Sequence, residues 1–234
     1  MHNFPFSAIW IGGDLGTYRQ CDSTYGRYDL GSLPSLPDDE FDGSYSWLRR
    51  HPSPIEYDER FARSWGDKGI MAWADDAEKS RLELISSAKK VGVHIPNEFL
   101  AFIFDPTLVS MLRSPTDCYF RKPSTLIPGM GSAGGHFAHF LSDSQNCYEW
   151  YIFLVPGGGN LVVASDDDLA DPIHTDGLWE DMRQRIVCCA PSFESFIYRL
   201  WIENECWFRL VQKDQPLTSE MRSYLNVSRA SQDA

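Results

Sequence analysis

The sequence lacks any run of about 18 apolar residues, so no membrane span is expected. Its start, MHNFPFSAIWIGG, has neither the basic opening nor the long apolar core of a signal peptide, and a cytoplasmic protein is expected. Basic residues are scarce: 21 Lys and Arg face 33 Asp and Glu, for a net charge of −12. That balance disfavours direct nucleic-acid binding, which needs a basic face for phosphate. No CxxC pair is present, which argues against a structural zinc site. GxSxG is missing too, as are internal repeats and low-complexity tracts. No catalytic signature stands out.

What is present fits one large folded domain, or one domain with an appended segment. The chain has 234 residues, 43% of them hydrophobic and 14% aromatic. Six cysteines (Cys21, Cys118, Cys147, Cys188, Cys189 and Cys206) are scattered through it and read as buried, reduced thiols. The negative charge is uneven. Asp38, Asp39, Glu40 and Asp42 form one acidic run. Asp166, Asp167, Asp168, Asp171, Asp176, Glu180 and Asp181 form a second, with no Lys or Arg among them.

The chain is organised around Gly134–Ser165. Three short runs rich in β-branched and aromatic residues (His136–Leu141, Tyr148–Val155 and Leu161–Ser165) are separated by Asp143-Ser144-Gln145-Asn146 and by Pro156-Gly157-Gly158-Gly159-Asn160. Turn residues between such runs predict an antiparallel meander. In the middle run Trp150, Ile152 and Leu154 alternate with Tyr151, Phe153 and Val155, so both faces are apolar and a central, covered strand is expected.

Helices flank this sheet. One is predicted from Asp75, with Glu78 completing a capping box, to Lys90, ended by Gly92. Its stripe is read as Leu82, Ile85 and Lys89, with Leu84, Ala88 and Val91 beside it. A second helix enters through Pro96, carries Phe99, Leu100, Phe102 and Ile103, and stops before Asp105-Pro106; it is expected to be buried. A short third spans Leu108–Arg113, and Asp117–Lys122 reads as the first strand. The closing helix, capped by Ser192, aims Phe193, Phe196, Ile197, Leu200, Trp201 and Asn204 at the sheet. The predicted core is Trp150, Ile152, Phe153, Leu154, Phe193, Phe196 and Leu200. Residues 1–74 read as a loop-rich, irregular extension packed on a 75–212 domain, and 213–234 as a polar tail with frayed final residues. The fold class is α+β.

IPNEFLAFI, FLSDSQNCYEWYIFLVPGGGNLVVAS and CAPSFESFIYRLWIENECWF, in that order, resemble the entry helix, the sheet and the closing Phe-x-x-Phe helix of the SUKH superfamily. That group contains fungal Smi/Knr-type cell-wall regulators and bacterial immunity proteins. The resemblance covers about residues 80–210. It implies a SUKH-like fold and a non-enzymatic, protein-binding role, most plausibly an immunity protein neutralising a nuclease-type toxin, with no cofactor and no catalytic residues. A regulatory scaffold is the alternative. A small-molecule or metal-dependent enzyme using the Gly129–Gly135 loop with His136 or His139 is a further one.

Other constellations have plainer readings. His136 and His139 lie three apart on a predicted strand and face opposite sides, a poor pair of metal ligands. His174 sits among carboxylates of a solvated loop. Gly157-Gly158-Gly159 lacks the Lys-Ser/Thr of a phosphate loop and reads as a hairpin turn. Asp143 reads as a turn-former rather than as a partner of Glu149. One of Trp201 and Trp207 is expected to be exposed, since both cannot share one narrow stripe. The second acidic run is the expected interface: unpaired, it should project from one edge of the sheet towards a basic toxin domain. Oligomeric state is left open.

Overall fold

A computed structural model describes residues 6–51, 69–129, 134–170, 184–213 and 215–232. The fold is α+β. Eight strands form the sheet: β1 (Ser7–Gly12), β2 (Gly26–Asp29), β3 (Tyr119–Phe120), β4 (Ile127–Pro128), β5 (His136–Ser142), β6 (Glu149–Leu154), β7 (Asn160–Ser165) and β8 (Val187–Ala190). Their order is β2-β1-β8-β7-β6-β5-β3, with β4 also on β5. Only the β1–β8 pair is parallel.

The meander forms as its sequence predicts. Asp143 Oδ2 accepts from the backbone N–H groups of Gln145 and Cys147 and fixes the β5–β6 turn. Gly157 and Gly158, at φ of 96° and 105°, close the β6–β7 turn in a region that favours glycine. Strand alternation then divides β6 between two cores. Trp150, Ile152 and Leu154 face the larger one, while Tyr151 and Phe153 face the smaller one, where Val155 packs against them.

The helices supply the larger core. They are α1 (Ser46–Arg49), α2 (Gly69–Val91), α3 (Asn97–Ile103), α4 (Pro106–Ser110), α5 (Phe193–Trp207) and α6 (Ser219–Gln232). Ser192 caps α5, its Oγ accepting from Ser195 N–H at 3.2 Å. Phe193 stands at the centre of the packing, with ring centroids 4.8 Å from Phe99 and 5.0 Å from Phe140. Burial of each such ring contributes roughly 1.5–3 kcal/mol. Trp150, Ile152, Phe153, Leu154, Phe193 and Phe196 are all fully buried.

Several expectations are corrected. Residues 7–12 and 26–29 are strands of the sheet itself, so the N-terminal segment is not merely a loop-rich extension. Alternation there is masked by Gly12, Gly13 and Gly26. The predicted first strand shrinks to β3, and β8, the four-residue VCCA, carries no turn signals that would have marked it. Helix α2 begins at Gly69, so Asp75 lies within it rather than at its cap. Leu84 and Ala88 are its buried side, whereas Leu82, Ile85 and Val91 are exposed; the stripe was read one position off. Pro96 is the N-cap residue of α3, not its first helical residue, and α4 runs two residues ahead of its predicted start. In α3, Phe99, Phe102 and Ile103 are buried but Ala101 is exposed. Leu200, assigned to the core, is half-buried and packs at its margin. The polar tail forms α6, which buries Met221, Tyr224 and Leu225 at i, i+3, i+4 spacing. Pro52-Ser53-Pro54, Trp65 and the final two residues lie outside the described residues.

Candidate functional site

Helix α5 is apolar enough to be buried nearly all round, and a charged side chain on such a helix requires a partner. Glu194, Arg199 and Glu203 each have one, and the first two position the segment from Leu30 to His51. Glu194 accepts from Gly43 N–H at 2.7 Å and from Trp47 Nε1 at 2.9 Å. Arg199 donates to the carbonyl of Pro34 and, at 2.8 Å, to Tyr224 on α6. Glu203 lies deepest. Both its oxygens bind the Arg19 guanidinium, Trp10 Nε1 reaches Oε2 at 2.8 Å, and the Tyr224 hydroxyl reaches Oε1 at 2.6 Å. Burial alone would raise the Glu203 pKa, but Arg19, then Arg199, outweigh it and hold the carboxyl below its usual range.

Between the Leu30–His51 segment, so anchored on α5, and the surfaces of α5 and α6 lies an open groove of about 700 Å³. Pro34, Leu36 and Pro37 form one wall. Tyr198 and Ile202 of α5 and Tyr224 of α6 form the base, and Glu40, Arg50, His51 and Glu220 carry the charge. Glu40 is paired with Arg50. Glu220 Oε1 accepts from the Tyr198 hydroxyl at 2.5 Å, while its Oε2 stands 3.9 Å from His51 Nε2, beyond hydrogen-bond reach. His51 stacks on Trp201 at 4.3 Å. Burial lowers its pKa, and Glu220 only partly opposes this. A second cavity of about 310 Å³ shares Pro34, Ser35 and Leu36 and is bordered by Asp38. The first acidic run therefore lies at the lip of these openings, and Asp38, Asp39 and Glu40 are all exposed. Among the described residues, Asp38 and Asp39 have no basic partner within 4 Å.

No family model, curated protein or solved structure matches this chain.

The expected interface looks different. Asp166, Asp167 and Asp168 follow β7, an interior strand, so they leave the end of the sheet and not its edge. They are not an unpaired field either. Arg185 binds both Asp166, at 2.7 Å, and Asp167. Asp168 accepts from the Tyr151 hydroxyl and from Ala170 N–H. The sequence reading closed its acidic window before Arg185, and the chain folds that arginine back onto it. Asp171, Asp176, Glu180, Asp181 and His174 lie outside the described residues, as do Met130–Ala133 of the glycine loop.

Among the described residues, His139 has an arrangement that resembles catalytic machinery. Its Nε2 is 2.6 Å from Glu149 Oε2 and 3.0 Å from Ser142 Oγ, and its ring stacks on Tyr151. A serine relay needs the acid on one ring nitrogen and the serine on the other. Here both converge on Nε2, so the ring cannot pass a proton from one to the other through its two nitrogens, and Ser142 Oγ also accepts from Arg121 Nε at 2.6 Å. His136 belongs to the alternate parity of β5 and does not join it. Among the described residues no group of three His, Cys, Asp or Glu is disposed to hold a metal ion. All six cysteines are free, and burial raises the pKa of Cys188 to about 12. Trp201 is buried and Trp207 half-buried, so neither is a fully exposed platform.

Sequence reasoning missed the groove because its walls come from three segments far apart in the chain. It missed Glu194, Arg199 and Glu203 because a helix read for its apolar stripe gives no weight to the charges between the stripe positions. Their signal was present: four charges, Glu194, Arg199, Glu203 and Glu205, on a helix with an aromatic stripe.

Proposed function

We propose that this chain is a non-enzymatic protein-binding domain, acting as an antidote that neutralises a basic, nuclease-type toxin domain. The supporting observation is the open groove of about 700 Å³ with the exposed Asp38–Glu40 run at its lip. A wide, charged cleft suits a protein segment, whereas a small-molecule site encloses most of its ligand. A net charge of −12 adds long-range attraction for a basic partner and raises its association rate. The likeness of the entry helix, meander and closing helix to the SUKH superfamily points to the same role. The interface of this reading is centred on the first acidic run, since Arg185 offsets part of the second.

The test is co-expression with basic nuclease-type toxin domains, beginning with any encoded beside this chain. Relief of growth arrest together with a stable complex whose association slows at high salt supports the reading. A complex whose association rate is the same with Asp38→Asn/Asp39→Asn at low salt removes the acidic lip from the interface. Turnover of a small molecule by the purified chain would replace binding with catalysis.

A further inference from the structure

In the groove, Glu220 presents a carboxylate oxygen, Oε2, that accepts no hydrogen bond from the described residues. Glu220 begins α6 and is held from one side only: Tyr198 donates to Oε1, and Oε2 faces His51 across 3.9 Å. The Tyr198 hydrogen bond fixes the direction of the side chain, and a fixed acceptor pairs better than a freely rotating one. Arg50, the nearest full cation of the groove, is already occupied by Glu40. The opposite wall is Pro34-Ser35-Leu36-Pro37, a stretch with two prolines that offers few backbone donors and a fixed shape. A groove with a rigid apolar wall and one directed carboxylate suits an extended chain carrying a cation.

We propose that an extended basic segment of the partner lies along the Pro34–Pro37 wall and presents a lysine or arginine side chain to Glu220 Oε2. This rests on the protein-binding reading and specifies its contact. Charge-assisted hydrogen bonds of this kind are among the stronger polar contacts. His51 then acts as the competitor for the same oxygen. Protonated, its ring would face Glu220, with Glu205 of α5 adding attraction and Arg50 and Arg209 opposing it. Binding of the segment should therefore weaken on acidification, as His51 gains its proton.

The experiment is an amide chemical-shift titration of the full chain with an acetylated (Gly-Lys)₄ peptide at low salt, with (Gly-Gln)₄ as the uncharged control. Shifts at Leu36, Arg50, Glu220 and Ser223 are expected with the lysine peptide alone. Glu220→Gln retains the acceptor for Tyr198 and so keeps the fold, which the same spectra verify. It should weaken binding by at least about fivefold, as loss of a charge-assisted contact does. Asp166→Asn/Asp167→Asn should leave the affinity unchanged, and His51→Gln should flatten its fall on acidification. Equal affinity in Glu220→Gln, or shifts mapped to another face, overturns the assignment of Glu220 while leaving an acidic binding surface. No shift on any face with the lysine peptide overturns both the assignment and the reading beneath it.

Discussion

The two halves of the sheet are held in different ways. In the β5–β6–β7 half, both faces are apolar, and Trp150, Ile152 and Phe153 pack against neighbours of their own kind. In the β1–β2–β8 half, the larger core is interrupted by a buried ion pair. Arg19 and Glu203 side chains are only 2% and 5% exposed, and Trp10, Tyr224 and the Tyr28 ring surround them. The first half is stabilised by area removed from water, which tolerates small shape changes. The second is stabilised by geometry, because a buried charge that loses its partner has no water to replace it. That same network bonds Tyr224, and through it α6, so the geometry of the groove depends on the charged half.

The largest expected effects break each half at its centre. Glu203→Ala strands the Arg19 guanidinium and removes the acceptor of Trp10 and Tyr224; a loss of about 3–5 kcal/mol is expected by denaturant unfolding. Trp150→Ala should cost about 3–5 kcal/mol by emptying the apolar half. The two differ in rescue. Replacing Arg19 and Glu203 together by Met and Leu should recover most of the loss, whereas nothing in the Trp150 variant is left uncompensated in charge. If the Arg19→Met/Glu203→Leu pair is as unstable as Glu203→Ala, geometry of the charges is not what holds that half.

A smaller effect probes the space around the pair. Gly12 faces the same side of β1 as Trp10, and a Cβ there would stand 2.7 Å from Arg19 NH2 and 2.8 Å from Glu203 Oε2. Neither side chain end is free to retreat. Gly12→Ala should therefore cost about 1–3 kcal/mol, the usual range for overpacking. A neutral Gly12→Ala would show that the pair has room to move.

This contrast also explains what the sequence disclosed. The apolar half was legible because its information is local: alternation in Tyr148–Val155, turn residues on either side, and a helical repeat from Phe193 to Asn204. The charged half was not, because Arg19 and Glu203 are 184 residues apart, Arg19 lies outside any periodic run, and Glu203 is a polar position between the apolar ones of its helix. Gly12 and Gly26, paired across β1 and β2, interrupt the alternation that would have marked those strands, and Gly12 leaves the room that the ion pair fills. The groove was illegible for the same reason. Pro34, Tyr198 and Glu220 meet only after the fold has formed, although the acidic run on its lip was visible as composition.

Acid should separate the halves further. The Glu203 pKa is held below its ordinary value of 4.5, so its contribution to stability is complete above that value and is lost as pH falls through the folded-state value. Glu194 has the opposite sign: burial raises its pKa, against the pull of Gly43 N–H and Trp47, so its contribution declines as pH rises through the interval above 4.5. The melting temperature of Glu203→Gln should accordingly fall less steeply below pH 4.5 than that of the wild type, and that of Glu194→Gln should rise less on acidification from pH 6 to 5. Parallel curves for Glu203→Gln and wild type would mean that Arg19 does not control this carboxylate.

The smallest expected effect concerns an exposed arginine with two acidic partners. Arg185 binds Asp166 and Asp167 as Arg19 binds Glu203, yet its side chain is 45% exposed and that of Asp166 38%. Water solvates both partners whether or not they meet, and salt screens them. Side-chain entropy spent in holding them together offsets most of the Coulomb attraction. Arg185→Ala should therefore change stability by less than about 1 kcal/mol, with even that difference fading at high salt. Its effect should appear in charge instead. Removing Arg185 unmasks Asp166 and Asp167, so association with a basic partner at low salt should accelerate if this end of the sheet lies near the interface. An unchanged rate confines the interface to the groove, and a loss of stability approaching that of Glu203→Ala would erase the distinction between the exposed pair and the buried one.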